Sequence, residues 1–170
     1  MKPSKGRNCY LSMRTKDGMW LDHKAEQLAD LSSLEPITIE KTNRWHSLCY
    51  PVFNEFREKF YDEDGKRKLR LEHLDPMHDV ALAVWFGDSG KIVKDQVILN
   101  THIWKEDTEI IHEYLEGCRF DSEIFYERKN YRIRLTEESS KLFLKLVLPQ
   151  LPAFFIQRFS IPPNIPNRDQ

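Results

Sequence analysis

The chain has 170 residues and a formal net charge of −1, so a nucleic-acid partner would have to bind a local basic patch. No apolar run approaches the roughly 18 residues of a membrane span, so no membrane partner is expected. The three cysteines are far apart and odd in number. They argue against a disulfide framework or structural zinc and predict a reducing, intracellular compartment, the cytoplasm or an organelle matrix.

The first half of the chain predicts an alternation of strands and helices. Its apolar residues recur every second residue in the predicted strands and every three or four residues in the predicted helices. The elements are a strand over 8–15, a helix over 19–31, strands over 36–41 and 45–50 around a turn at 42–44, and a helix from Pro51. The charged stretch 62–70 contains Gly65 and has no periodicity, which is typical of a surface linker.

The centre of the chain, residues 75–90, reads DPMHDVALAVWFGDSG. Asp75 is a candidate N-cap, Pro76 a candidate first helical residue and Gly90 a candidate stop. The helix between them is apolar nearly all round, which predicts burial. Asp88 is the exception. Because burying an unpaired carboxylate is costly, it should meet a cation, a metal ion or water, or the last turn simply reaches solvent.

The second half repeats the pattern of the first. The elements are strands over 91–94 and 97–103 around a turn at 95–96, a helix over 106–118, strands over 122–128 and 131–135 around a turn at 129–130, and a helix that Thr136 caps and Pro149 ends.

An ungapped shift of 87 residues superimposes the two halves, carrying Asn43 onto Asn130 and Leu28 onto Leu115. The repeating unit is helix, two strands, helix, two strands, helix. The first copy lacks its first helix, whose counterpart would precede Met1. The predicted parts are a truncated first repeat (1–61), a linker (62–74), a second repeat (75–149) and a C-terminal tail (150–170).

ALAVWFGDSG, between two similar halves, resembles the LAGLIDADG homing endonucleases, in particular the branch whose second motif reads like LAIWFMDDG. The segments WHSLCYPVFNEFREKFY, VILNTHIWKEDTEIIHEYL and LKLVLPQLPAFF resemble the same branch, so the likeness covers nearly the whole chain. It implies an intron-encoded mobile element and a pseudo-two-fold α+β fold. In that fold two motif helices pack at the centre, an acid at the foot of each holds a divalent metal ion, and two curved antiparallel sheets with helices on one face lie in the DNA major groove.

Two departures from the family pattern bear on cleavage. The family's metal-binding acid usually stands directly before the glycine, where this chain has Ser89, and Asp88 is displaced by about 100° around the helix. The second acid is missing with the first motif helix. Asp88 is therefore the one candidate for catalysis and for binding Mg²⁺. To cut both strands, a second copy of the chain or another polypeptide would have to supply the missing helix.

The polar side of the strands is the candidate nucleic-acid surface, because a strand ribbon in the major groove reads base edges with Arg and Asn. Arg132 and Arg134 alternate along their strand and should share a face. Glu123 and Glu127, on the neighbouring strand, would have to pair with these arginines or point away. The remaining candidates are Lys91, Lys94, Asn100, His102, Arg128 and Lys129 in the second half and Arg14, Lys16, Lys41, Arg44 and His46 in the first. The alternative is an ordinary solvated sheet face.

Several functions therefore stay open. We favour a nucleic-acid-binding protein of homing-endonuclease descent that binds double-stranded DNA and whose cleavage is impaired or needs self-association or a partner. One alternative is an active, Mg²⁺-dependent, site-specific DNA endonuclease that works as a homodimer or a split enzyme. A second is a non-catalytic RNA-binding maturase or ribonucleoprotein component, and a third is a structural or protein-binding domain.

Overall fold

The computed structural model describes residues 8–32, 35–101 and 105–157, and the chain divides into two compact units, residues 1–68 and 69–170. The helices and strands of the first unit are β1 (Ser12–Thr15), α1 (Gly18–Gln27), β2 (Ile37–Ile39), β3 (Thr42–His46) and α2 (Val52–Phe60). Those of the second are α3 (Asp79–Ser89), β4 (Gly90–Val93), β5 (Gln96–Asn100), α4 (Lys105–Gly117), β6 (Ser122–Glu127), β7 (Asn130–Leu135), α5 (Glu137–Val147) and α6 (Ala153–Ile156). The boundaries of the two sequence repeats stay a prediction.

In the first unit, the described strands form an antiparallel sheet in the order β1-β3-β2, with α1 packed on one side. Trp45 of β3 lies opposite Met13 of β1 and is buried with Leu21 and Ala25 of α1. Asp17 caps α1, since its carboxylate accepts a hydrogen bond from the Trp20 amide at 3.1 Å.

In the second unit, the sheet has the antiparallel order β4-β5-β7-β6. Alternate side chains of its two central strands are fully buried on the side that α4 and α5 cover: Val97, Leu99, Ile133 and Leu135. Phe143 of α5 contacts Phe86 of α3 edge-to-face, with ring centroids 5.9 Å apart. The predicted cap of α5 is confirmed, because the Thr136 hydroxyl accepts a hydrogen bond from the Ser139 amide at 3.3 Å.

The hairpin turns lie one or two residues earlier than predicted. The β2–β3 turn is Glu40-Lys41, so Thr42, Asn43 and Arg44 belong to β3. The other hairpins turn at Lys94-Asp95 and Arg128-Lys129, and all six turn residues have positive φ, as type I′ hairpin turns require. Asn43 and Asn130, which belonged to two of the predicted turns, lie within β3 and at the start of β7 instead. The β2–β3 and β6–β7 turns are therefore 88 residues apart, and the ungapped shift of 87 is wrong within these two hairpins.

The central helix is shorter than predicted. It begins at Asp79, with His78 as its N-cap residue. Asp75 and Pro76 lie in a preceding turn, in which the Met77 amide donates a hydrogen bond to the Leu74 carbonyl at 2.8 Å. The expectation of burial nearly all round is also wrong, because Val80 is 58% exposed. Neither this helix nor any other in the described residues has the length and apolar composition of a membrane span.

Gly90 joins α3 directly to β4 at an ordinary φ of −81°, so the glycine is not needed for left-handed backbone geometry. A Cβ atom on residue 90 would lie 2.6 Å from the Phe86 carbonyl oxygen and would overlap the Phe86 ring. Glycine is therefore required because the strand leaves the helix against a fully buried aromatic side chain.

We expect Gly90→Ala to lower the free energy of unfolding by about 1–3 kcal/mol, the usual cost of forcing extra atoms into a packed site. Gly117→Ala is the matched control, because a Cβ there would meet no atom within 4 Å. Gly117 ends α4, and alanine there should stabilise by up to about 1 kcal/mol. Denaturant unfolding followed by circular dichroism measures both changes, and equal stability of the two variants would contradict this packing account.

Candidate nucleic-acid interface

Three cations of the second unit lie on the side of the sheet away from the helices. Arg134 and Arg132 of β7 are paired directly with Ile98 and Asn100 of β5, and Lys91 of β4 is also paired with Ile98. Directly paired residues share one face of a sheet, and the buried residues that alternate with these face the helices. We call this side of the second sheet the outer face. The prediction that both arginines lie on one face is confirmed.

The carboxylates of β6 pair with these cations rather than pointing away. Glu123 is 2.8 Å from an Arg134 terminal nitrogen, and Glu127 forms an ion pair with Arg132. Lys91 also approaches Glu127, at 3.8 Å. The outer face is therefore a set of cations held in position by neighbouring carboxylates.

Lys91 lies near the positive charges of three arginines. Burial lowers the pKa of Lys91 below its ordinary value, and the nearby positive charges of Arg132, Arg128 and Arg134 lower this pKa further. Each of the three arginines thus repels the ammonium group of Lys91. An anion placed over the outer face would reduce this repulsion.

The two arginines differ in how far they reach solvent. The Arg134 side chain is 36% exposed and its guanidinium carbon lies 4.5 Å from the centroid of the Phe125 ring. The Arg132 side chain is only 12% exposed, and its Nε atom is buried with no hydrogen-bond partner. Sequence reasoning missed Phe125, although Glu123, Phe125 and Glu127 alternate along β6 and so share the face of the arginines.

Further predicted contacts lie in turns or next to strands. Lys94, Arg128, Lys129 and Lys41 occupy hairpin turns, and Lys16 follows β1; all five are exposed. His102 lies outside the described residues. The tips of the hairpins thus carry exposed cations on long side chains that suit phosphate contacts, in contrast to the paired arginines of the outer face.

In the first unit, Arg14 of β1 lies directly opposite Arg44 of β3, and Ser12 lies opposite His46, on the side away from Trp45. Arg14 and His46 are exposed, whereas Arg44 is half-buried with its Nε atom buried and unbonded. Within the described ranges, no carboxylate forms an ion pair with either arginine. Like charges directly opposite each other destabilise a sheet, so this pair would gain from a bound anion.

The last turn of α3 is tied to the sheet through Ser89 and Asn100. The Ser89 hydroxyl lies 3.0 Å from the Asn100 carbonyl oxygen and 3.2 Å from that of Trp85. In return the Asn100 side-chain amide donates to the Ser89 carbonyl. The Ser89 hydroxyl thus ties the end of α3 to β5. The side-chain nitrogen of Asn100 is engaged within the protein, and its Oδ1 atom is buried without a hydrogen-bond partner.

Asp88, the predicted metal ligand, is exposed on the last turn of α3. In the part of the chain that the structure describes, no three His, Cys, Asp or Glu side chains come close enough to hold a metal ion together. The Ser89 hydroxyl is directed at backbone carbonyls, and a hydroxyl is in any case a weaker ligand for Mg²⁺ than a carboxylate. The described residues alone therefore do not make a complete metal site.

Comparison with known proteins places the fold. The model of the LAGLIDADG DNA endonuclease family matches residues 1–143. The homing endonuclease I-WcaI bound to its DNA recognition sequence is similar over 94% of this chain and 78% of that one, with a TM-score of 0.84 and 18% identity. No curated protein sequence matches.

The homing endonuclease I-DmoI is a more distant structural neighbour. Its complex with DNA and Mn covers 84% of this chain and 82% of that one, with a TM-score of 0.56 and 10% identity. A variant of I-DmoI in complex with its target DNA in the presence of Mg is similar over 82% of this chain and 80% of the variant, with a TM-score of 0.58 and 10% identity. These likenesses confirm the predicted α+β fold.

We expect Ser89→Ala to lower the free energy of unfolding by about 1 kcal/mol, because the Asn100 carbonyl loses a donor. Ser89→Asp should cost more, since a carboxylate would face two carbonyl oxygens. Ser12→Ala, at an exposed strand position, is the control and should change stability by less than about 0.5 kcal/mol. A Ser89→Asp variant as stable as the wild type would show that residue 89 is not engaged in this way.

Proposed function

This chain belongs to the LAGLIDADG DNA endonuclease family, and from that premise we propose that it binds double-stranded DNA through the strand faces turned away from its helices. The observation that carries the proposal is the outer face, on which Lys91, Arg132 and Arg134 lie on the same side of the sheet. A strand ribbon of this kind fits the major groove, where base edges present distinct patterns of donors and acceptors.

Two kinds of contact follow from the positions of the cations. Lys94, Arg128 and Lys129 stand in exposed hairpin turns and would contact phosphates, which fixes the protein on the duplex. Arg134 lies within the sheet and would face the bases. Phosphate oxygens near Lys91 would stabilise the charged form of its ammonium group, whose pKa is lowered by desolvation and by the neighbouring arginines.

The first unit supports the same proposal by a different observation. Arg14 and Arg44 face each other across two strands without an ion pair to any carboxylate of the described residues. A phosphate group between two such guanidinium groups would turn their repulsion into charge-assisted hydrogen bonds. We therefore propose that Arg14, Arg44 and His46, with Lys16 and Lys41 beside them, form a second DNA contact.

We further propose that the chain alone does not cut DNA and that cleavage needs another polypeptide or a second copy. Hydrolysis in both strands needs divalent ions, Mg²⁺ in this proposal, held near two phosphates by a group of carboxylates. Ser89 is engaged by backbone carbonyls, and Asp88 alone does not form such a group. The alternative, an active endonuclease, is supported by the exposed position of Asp88 at the end of α3.

We expect DNA affinity to fall steeply with salt, with a log–log slope of about −0.9 for each phosphate contact. The double variant Arg128→Gln, Lys129→Gln should reduce the magnitude of this slope by about 2, because it removes two proposed phosphate contacts. Fluorescence anisotropy of a labelled duplex in a salt series measures the slope.

The matched control is the double variant Arg119→Gln, Lys145→Gln, which removes the same charge from exposed positions away from the strand faces. Its slope should equal that of the wild type. An equal reduction of the slope in both double variants would show that only net charge matters. Affinity for RNA without affinity for duplex DNA would favour the maturase alternative.

A supercoiled plasmid carrying a DNA site selected by the protein should stay intact when the chain is added alone with Mg²⁺ or Mn²⁺. Binding to the site should persist in Asp88→Asn, because that side chain is not among the proposed DNA contacts. Gel electrophoresis of the plasmid reads out nicking and linearisation. Linearisation by the wild type that disappears in Asp88→Asn would establish the endonuclease alternative instead.

A further inference from the structure

We infer that Arg134 recognises a guanine in the major groove and that Glu123 and Phe125 position its guanidinium group for this purpose. The inference rests on the proposed function and adds to it the residue that specifies a base, the base it specifies, and the two positioning residues. It follows from the contacts that Arg134 makes on the outer face.

The Arg134 guanidinium group is held from two directions. Glu123, directly opposite on β6, accepts a hydrogen bond from Nη1 at 2.8 Å. The Phe125 ring lies against the guanidinium group, with 4.5 Å between its centroid and the central carbon. A cation over an aromatic face gains electrostatic stabilisation. The hydrogen bond from Nη1 to Glu123 also restricts rotation of the guanidinium group. The group is therefore oriented before any ligand binds.

Arg134 keeps the donors that base recognition needs. A guanidinium group has five N–H bonds, and in the described part of the chain Glu123 is its one hydrogen-bond partner. With 36% of the side chain exposed, the remaining N–H groups are accessible. Arg132 differs, because it is 12% exposed and pairs with Glu127. Arg132 is therefore the supporting residue and Arg134 the reading one.

Guanine is the base that this arrangement fits. A guanidinium group presents two parallel N–H bonds in one plane, and guanine presents two acceptors, O6 and N7, on its major-groove edge. Adenine offers one acceptor beside a donor, and the donor would repel the second N–H. Prior orientation lowers the entropy cost of forming the pair, so Glu123 and Phe125 strengthen discrimination without touching DNA.

Glu123 has a second effect on binding. Its carboxylate carries negative charge on the face that would approach phosphates, so it weakens affinity for any sequence equally. A residue that weakens general affinity but orients the reading group favours the correct sequence over all others. Glu123 is therefore proposed as a specificity residue.

The test begins with selection of binding sites from fully randomised DNA duplexes by the full wild-type chain at a fixed salt concentration. Each G·C pair of the resulting consensus is then exchanged for A·T, one at a time, and affinities are measured by anisotropy. At one position the exchange should weaken wild-type binding about ten-fold or more. In Arg134→Lys, which keeps the charge and loses the planar fork, discrimination should weaken at that position alone.

Glu123→Gln and Phe125→Leu should lose discrimination at the same position, and Glu123→Gln should also bind a scrambled duplex more tightly. The matched controls are Arg119→Lys and Glu113→Gln, at exposed positions on or after α4, and both should keep the wild-type profile. Circular dichroism establishes that each variant is folded. If Phe125→Leu does not fold, Glu123→Gln and Arg134→Lys still decide the question.

An unchanged consensus and unchanged discrimination in Arg134→Lys would overturn the inference. Loss of discrimination in Arg134→Lys but not in Glu123→Gln or Phe125→Leu would overturn the positioning roles. Salt-dependent binding by the wild type without any sequence preference would refute this inference and leave the proposed function intact. Absence of salt-dependent binding to any duplex would instead refute the proposed function itself.

Discussion

The register of the β6–β7 hairpin determines both the core and the proposed DNA surface of the second unit. The turn at Arg128-Lys129 pairs Ile124 with Ile133 and Glu123 with Arg134. Because side chains alternate between faces, a slip of one residue would expose Ile133 and Leu135 and bury both arginines. Burial of these apolar residues therefore fixes the positions of the charged ones, and the hydrophobic effect that folds the sheet also orients the cations on it.

The two strand faces balance their charge differently. In the second unit, Glu123 and Glu127 compensate the arginines and hold them in place, which suits recognition by geometry. In the first unit, Arg14 and Arg44 face each other without such compensation in the described residues, which suits attraction to phosphate. A chain with a net charge of −1 can bind a polyanion in this way, since local arrangement rather than total charge sets the field that the ligand meets.

The apolar periodicity of the sequence predicted the order of helices and strands and the location of Arg132 and Arg134 on one face, and the resemblance to the family implied the α+β fold. It could not place the hairpin turns, because their residues, such as Glu40 and Lys41, are not typical of positive φ, while the nearby Asn43 is. Nor could it show that Ser89 and Asn100 bond to each other, since they come from different elements. Phe125 was recognisable only as an alternating strand residue, and its contact with Arg134 requires the register of the hairpin.

The junction of α3 and β4 links these observations to the proposed loss of cleavage by the single chain. An acid at residue 89 would place its carboxylate beside the carbonyl oxygens of Trp85 and Asn100, which repel it. Here the serine hydroxyl instead bonds to Trp85 and Asn100, and Gly90 lets β4 leave the helix tightly against Phe86. These contacts stabilise the strand that carries Lys91 on the outer face. The serine at this position therefore joins the end of α3 to the sheet, and the proposed loss of cleavage by the single chain leaves the strand faces that carry the proposed DNA contacts unchanged.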